Sequence, residues 1–115
     1  MAFQIYLVSG LFAAMGLYAL AFPHKIVDRF GVMVETGDGR NEIRAVYGGF
    51  GVAIAVLLLA PLIKPALLDG VVLAVAVALI GMAAGRVVAV FDRPGIWPVV
   101  FFGIELAGAA LLLSA

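Results

Sequence analysis

The sequence predicts an all-α integral membrane protein, a four-transmembrane-helix bundle that runs up-down-up-down as one domain over residues 1–115. Of the 115 residues, 66% are hydrophobic and only 12% are charged, whereas a soluble domain carries about 25% charged residues. The mean hydropathy is +1.25. Four apolar runs also reach the length of about 20 residues that crosses a hydrocarbon core of about 30 Å. A surface with so few charges suits lipid rather than water.

The four predicted spans are separated by short polar or proline-containing connections. They cover about residues 3–22, 43–63, 71–91 and 98–113. The first span ends at Pro23. Because no lysine or arginine precedes it and the apolar run is long, we expect a retained helix rather than a cleaved signal peptide.

The connection between the first two spans, residues 23–41, is the only long polar segment. Apolar and charged side chains alternate at helical spacing over residues 25–30, which favours a short helix in the membrane interface. The sequence Thr36-Gly37-Asp38-Gly39 indicates a turn. Asn41 is the predicted N-cap of the second span, with Glu42 in its first turn, where the helix dipole favours a carboxylate.

Prolines and turn residues mark the later boundaries. Pro61 ends or bends the second span, and the tight connection over residues 64–70 makes spans two and three predicted antiparallel neighbours. The sequence Asp92-Arg93-Pro94-Gly95 indicates another turn. Trp97 suits the interfacial aromatic belt, and Pro98 suits the first turn of the fourth span.

The basic residues predict the orientation of the bundle. With four spans, the first and third connections share one side of the membrane. Only Lys64 lies on the other side, and the remaining basic residues lie on or near the shared side: Lys25, Arg29, Arg40, Arg44, Arg86 and Arg93. The positive-inside rule therefore predicts that these connections are cytoplasmic and that both termini lie outside.

Polar side chains from different spans fall at one depth in the membrane. At a rise of 1.5 Å per residue, Tyr47, Arg86 and Glu105 lie about 9–10 Å below the same surface, with Arg44 about one turn above them and Tyr18 nearby. A charge at the bilayer centre costs about 2.5–3.5 kcal/mol, and less toward the ends. Glu105 is therefore predicted to be paired, with Arg86 as its first partner and Arg44 as its second. These five side chains form a predicted ligand-binding or buried polar network, unless the pair only fixes the register of the bundle.

Small residues at spacings of three and four predict close helix packing. Such spacings occur in the second, third and fourth spans, and small residues allow membrane helices to approach closely. The predicted packing glycines are Gly48, Gly49, Gly51, Gly81, Gly85 and Gly108.

Composition excludes several kinds of function. The chain has no cysteine and one histidine, His24, so the sequence predicts no disulfide, thiol catalysis or metal site. A net charge of zero predicts no nucleic-acid surface. Because no nucleophile–base pair or phosphate loop is recognisable, we expect no cofactor and no catalytic residue.

Four short strings resemble a known family. They are Glu-Ile-Arg-Ala-Val-Tyr-Gly-Gly at 42–49, Gly-Arg at 85–86, Asp-Arg-Pro-Gly at 92–95 and Glu-Leu at 105–106. The chain is similar over nearly its whole length to an uncharacterised bacterial family of small four-span membrane proteins, a domain of unknown function related in architecture to DoxX-like proteins. The resemblance implies a helical bundle in the bacterial inner membrane and no established activity. Its shared polar positions fall on Arg44, Tyr47, Arg86 and Glu105.

Three functions compete for this sequence. In the first, a polar pocket near the cytoplasmic face binds a lipid, a quinone or another amphiphilic small molecule, or the bundle is an accessory subunit of a larger membrane complex. In the second, Glu105 serves a proton-coupled small transporter, although the first span lacks the acid that four-helix multidrug exporters carry there. In the third, the chain is a subunit of a quinone-linked redox enzyme. The first best accounts for the polar cluster and its small-residue walls, so we expect a non-enzyme that contacts membrane lipids and self-associates or joins a complex.

Overall fold

The computed structural model describes residues 2–115, and this part of the chain contains helices and no strand. The α-helices are α1 (Ala2–Ala21), α2 (Pro23–Ile26), α3 (Gly37–Ile43), α4 (Phe50–Leu59), α5 (Leu68–Val88) and α6 (Ile96–Leu113). Short 3₁₀ turns lie at Asp28–Phe30, Ala60–Leu62, Pro65–Leu67 and Val90–Asp92. The predicted all-α fold is confirmed.

Four helical stretches within the described residues are long and apolar enough to cross a membrane. They are the first span (Phe3–Ala21), the second span (Gly37–Leu62), the third span (Pro65–Val88) and the fourth span (Ile96–Leu113). The second span is continuous from α3 to α4, because a π-helical segment at Arg44–Gly49 joins them. A π-helical turn inside an α-helix is rare and often marks a functional position.

The second span begins six residues earlier than the sequence predicts, at Gly37 rather than Ile43. The helix is capped by Thr36, whose hydroxyl accepts a hydrogen bond of 3.0 Å from the backbone N–H of Gly39. Asn41 therefore lies inside α3 and is not the N-cap, which corrects that prediction. A threonine hydroxyl at the cap satisfies one of the N–H groups that a helix start leaves unpaired.

The third span also starts earlier than predicted and ends sooner. Its helical stretch covers Pro65–Val88 instead of residues 71–91. Pro65 starts it early, because proline fits the first turn of a helix. Beyond Val88 the backbone tightens into the 3₁₀ turn at Val90–Asp92.

The helices pack as two hairpins. The first span lies mainly against the second, and α5 lies mainly against α6; the contacts of α1 with α6 and of α4 with α5 are fewer. The buried apolar core occupies the half of the bundle near the second connection. It comprises Ile5, Val8, Leu58, Val71, Val75, Ala76, Leu79, Ala109 and Leu112. The polar residues of interest lie in the other half, toward the first and third connections.

The bundle exposes more surface than a compact water-soluble protein of its size, and much of that surface is apolar. Its accessible area is 7195 Å², compared with about 5,900 Å² for a compact soluble protein of 11.9 kDa. Large apolar side chains on every span contribute to this area, including Phe3, Phe50, Val77 and Ile104. A bilayer covers such a surface without the cost that water would impose.

Candidate ligand-binding site at an arginine–glutamate pair

Arg86 and Glu105 form the ion pair predicted from their depth. The Nε of Arg86 donates to Oε1 of Glu105 at 2.8 Å, and Nη2 donates to Oε2 at 2.9 Å. The contact is bidentate, so it fixes the plane of the guanidinium as well as its position. Within residues 2–115, this is the only salt bridge. The pair joins α5 to α6 in the half of the bundle that lacks the apolar core.

The two partners differ in exposure. The Glu105 side chain is 4% exposed and that of Arg86 is 26% exposed. Glu105 faces inward from α6 beside Gly108, which is also buried. A buried carboxylate is expensive without a partner, and Arg86 supplies that partner while keeping part of its own guanidinium accessible.

Aromatic rings surround the guanidinium of Arg86. Its Cζ lies 5.8 Å from the ring centroid of Phe30 and 5.7 Å from that of Phe101, and these rings lie 5.4 Å from each other. Farther out, Cζ of Arg29 lies 5.2 Å from the ring centroid of Trp97. Cation–π attraction strengthens as water is excluded. Through these contacts the first connection packs against the start of the fourth span.

Tyr47 is the second predicted network residue that the fold brings toward the pair. Its phenol is half-buried and lies close enough to Arg86 for a coulombic interaction. Tyr47 belongs to the π-helical segment of the second span. No hydrogen bond joins its hydroxyl to the described residues. Tyr47 therefore lies near the ion pair but is not bonded to it.

An apolar groove of about 160 Å³ lies beside the pair. It runs between the end of α5 and the start of α6. Arg86 is its only polar lining residue; the others are Val87, Val90, Pro94, Pro98, Val99 and Phe102. The groove is therefore almost entirely apolar, and the ion pair borders it at Arg86.

Two members of the predicted network lie elsewhere. Nε of Arg44 donates to the backbone carbonyl of Leu20 at 3.0 Å, so Arg44 completes the end of α1 and is not a partner of Glu105. Tyr18 is exposed, and its ring packs against Phe22 with 5.6 Å between centroids. The last carbonyls of a helix lack intrahelical donors, which explains why the nearby Arg44 is captured there.

The predicted packing glycines divide into two groups. A Cβ at Gly48 would meet Leu20 at 2.7 Å, one at Gly51 would meet Gly16 at 3.0 Å, and one at Gly108 would meet Leu79 at 3.1 Å. These three therefore lie at close helix contacts. Within the described residues, a Cβ at Gly81 or Gly85 would meet nothing within 4 Å, and one at Gly49 would meet only its own helix. Gly49, Gly81 and Gly85 therefore lie outside the helix contacts made within this chain.

The contact between the first two spans depends on residues that sequence reasoning missed. The Ser9 hydroxyl donates to the carbonyl of Ala55 at 2.8 Å, and both residues are buried. A Cβ at Gly16 would lie 2.7 Å from the carbonyl oxygen of Gly48. Ser9 and Gly16 are seven residues apart on one face of α1, and this spacing was the available signal.

No group of histidine and acidic residues among the described positions has the geometry of a metal site. What the site does contain is unused donor capacity. Arg86 commits Nε and Nη2 to Glu105, and Nη1 has no acceptor within residues 2–115. Because no buried polar side-chain atom in that range lacks a partner, Nη1 is not fully buried.

These features define a small helical protein with four membrane-capable spans and one internal ion pair beside a groove. The chain belongs to the family described as a domain of unknown function (DUF4345), which matches residues 2–115. Comparisons with curated proteins and with solved structures gave no match. The family match supports the predicted resemblance to an uncharacterised family, and it assigns no activity.

Proposed function

We propose that this protein is a non-enzymatic membrane protein that binds an amphiphile in the apolar groove beside the Arg86–Glu105 pair. The observation that carries the proposal is an apolar groove bordered by Arg86, whose guanidinium is fixed by Glu105. Glu105 holds the guanidinium from the inside, so the donor is already oriented before a ligand arrives. Such pre-organisation reduces the entropy that binding must offset.

The size of the groove limits how much of a ligand the protein holds. Its volume of about 160 Å³ is smaller than the roughly 300–1,000 Å³ of pockets that enclose drug-sized ligands. Only the head and the first part of a tail fit there. The rest of the ligand lies in the bilayer, which favours a membrane amphiphile over a water-soluble metabolite.

The geometry favours binding over the other two functions. A proton-carrying glutamate has to exchange its proton, and both oxygens of Glu105 are occupied by Arg86. A redox subunit that carries its own metal needs a cluster of ligating side chains, and the described residues contain no such cluster. An accessory role in a larger membrane complex agrees with binding, since a bound lipid and a docked helix use the same apolar surface.

We also propose a cellular setting. The protein lies in a bacterial inner membrane with the first and third connections in the cytoplasm and both termini outside, which follows from the distribution of its arginines and lysines. The binding site is then near the cytoplasmic face. We also propose that the protein is related in architecture to DoxX-like proteins. We propose further that it self-associates into an oligomer.

Native mass spectrometry of the protein in a gentle detergent tests the proposed function. We expect wild type to retain an amphiphile that co-purifies with it. Val99→Trp fills the groove, and we expect it to lose that mass. The control is Ile104→Trp, which places the same large side chain at an exposed position of α6 outside the groove. Equal retention by the two variants, or no retained amphiphile in wild type, contradicts the proposal.

A further inference from the structure

We infer that Arg40 and Arg44 hold the phosphate of an anionic membrane phospholipid at the end of the first span. This site is separate from the groove beside the Arg86–Glu105 pair and goes beyond the proposed function. It is supported by the separation of charge on α3, by the free donors of the two arginines, by their level in the membrane and by the apolar surface that continues from them.

The charged residues of α3 and of the turn that follows it lie on two opposite faces. Arg40 and Arg44 are four residues apart, so they lie one turn apart on one face. Asp38 and Glu42 lie on the opposite face, because two residues turn an α-helix by about 200°. Neither arginine forms a salt bridge with a described carboxylate. Like charges at this spacing repel each other, and an anion bound between them removes the repulsion.

The two arginines have hydrogen bonds left to donate. Arg44 uses Nε on the carbonyl of Leu20, while its Nη1 and Nη2 have no acceptor within residues 2–115. The guanidinium of Arg40 forms no hydrogen bond to the described residues. In addition, α2 lies against α3, and it contains Lys25 and no acidic residue. Because a guanidinium pairs well with the oxygens of a phosphate, the complementary ligand is a phosphate.

The level of Arg44 matches that of the lipid phosphates. Arg44 contacts Leu20, one residue before α1 ends at Ala21. The first span has 19 residues and is about 29 Å long at 1.5 Å per residue, close to the hydrocarbon thickness of about 30 Å. The end of α1 therefore lies at the edge of the hydrocarbon core. Arg40 lies one turn farther out, about 6 Å, which is where the phosphates of the surrounding lipids lie.

An exposed apolar surface runs from this level toward the centre of the bilayer. Leu20 packs against Gly48, yet its side chain is 39% exposed. Leu17 lies one turn farther from the end of α1, on the same side of the helix, and is 60% exposed. An acyl chain that starts at the arginines and follows these two leucines stays in the bilayer. This surface favours a phospholipid over a free phosphate ion.

Competition between an anionic and a zwitterionic lipid tests the inference. Wild-type protein is exchanged into detergent that contains equal amounts of dioleoyl phosphatidylglycerol and dioleoyl phosphatidylcholine, and native mass spectrometry gives the ratio of the two bound lipids. Both lipids carry a phosphate, but the arginines repel the choline cation. A basic residue at the membrane surface favours an anionic lipid about fivefold. We therefore expect the two arginines to favour phosphatidylglycerol about 25-fold.

Single substitutions then measure what each arginine contributes. Arg40→Gln and Arg44→Gln should each lower the ratio to about fivefold, and protein that carries both changes should bind the two lipids about equally. The matched control is Arg93→Gln, which removes one exposed positive charge from the third connection and should leave the ratio unchanged. Because the Arg40 side chain forms no hydrogen bond within residues 2–115, Arg40→Gln keeps the test decisive if Arg44→Gln does not fold.

Several results would overturn the inference. Equal binding of the two lipids by wild type would do so, as would a loss in Arg93→Gln as large as that in Arg40→Gln, because the preference would then reflect the total charge at this end of the bundle. Displacement of phosphatidylglycerol by an excess of inorganic phosphate would replace the lipid by a soluble phosphate ligand.

The substitution Val99→Trp separates this site from the groove. We expect it to keep the wild-type ratio of the two lipids. If Val99→Trp loses bound phosphatidylglycerol while both arginine variants keep it, the anionic lipid lies in the groove, which overturns this inference and leaves the proposed function intact. If Val99→Trp retains the co-purifying amphiphile and the arginine variants lower the lipid ratio as expected, the proposed function fails and this inference stands.

Discussion

Replacing Arg86 and replacing Glu105, each alone, should lower the stability of the protein by different amounts. Arg86→Met leaves a carboxylate that is 4% exposed without a partner, and breaking a buried pair typically costs 3–5 kcal/mol. Because the Arg86 side chain is 26% exposed, solvent screening weakens the pair, and we expect a loss near the lower end, about 3 kcal/mol. Glu105→Leu leaves an arginine that is long enough to reach the head groups, so we expect about 1–2 kcal/mol.

The double variant should be close to wild type in stability. Replacing a buried ion pair by apolar residues is often neutral or stabilising, so the two single losses should cancel to within about 1 kcal/mol rather than add. The measurement is reversible unfolding in mixed detergent–SDS micelles, followed by far-UV circular dichroism. If the double variant loses the sum of the two single losses, the side chains are not coupled and the reasoning from the ion pair is refuted.

Three further outcomes are expected in the same unfolding assay. Gly16→Ala places a Cβ 2.7 Å from the backbone carbonyl of Gly48 and should cost about 1–3 kcal/mol. The control Gly81→Ala, which meets nothing within 4 Å in the described chain, should change stability by at most about 1 kcal/mol, toward higher stability; a clear loss there would show that another chain covers this face. Ser9→Ala should cost about 0.6 kcal/mol, the typical worth of a hydrogen bond between membrane helices, and no loss would contradict its role. Thr36→Ala should cost about 1 kcal/mol through the lost cap and speed amide exchange in the first turn of α3, where unchanged exchange would contradict the cap.

The ion pair was predictable because its argument needs only helical rise and the cost of a buried charge. Both are independent of how each helix is rotated about its axis. Depth also placed Arg44 and Tyr18 near the pair, but in the structure they contact Leu20 and Phe22 at the end of the first span. Arg44 binds the carbonyl of Leu20, a local partner that a depth argument does not include.

The glycines also show that sequence spacing does not predict which helices are in contact. Gly48 and Gly81 both occur in small-residue spacings, yet a Cβ at Gly48 would meet Leu20 at 2.7 Å and one at Gly81 would meet no described atom within 4 Å. The spacing identifies a face that another helix can approach closely, but not which helix does so. The aromatic contact between Phe30 and Phe101 was also beyond the sequence, since it joins a connection to a span far along the chain.

The third connection forms part of the groove beside the pair. Arg93 has φ 56° and ψ 57°, a left-handed conformation that costs a residue other than glycine about 1–2 kcal/mol, and the following Pro94 disfavours it further. The turn brings the chain from α5 into α6 and places Val90 and Pro94 as walls of the groove. The groove therefore lies at the connection that turns into α6 through a left-handed residue other than glycine, directly beside the ion pair.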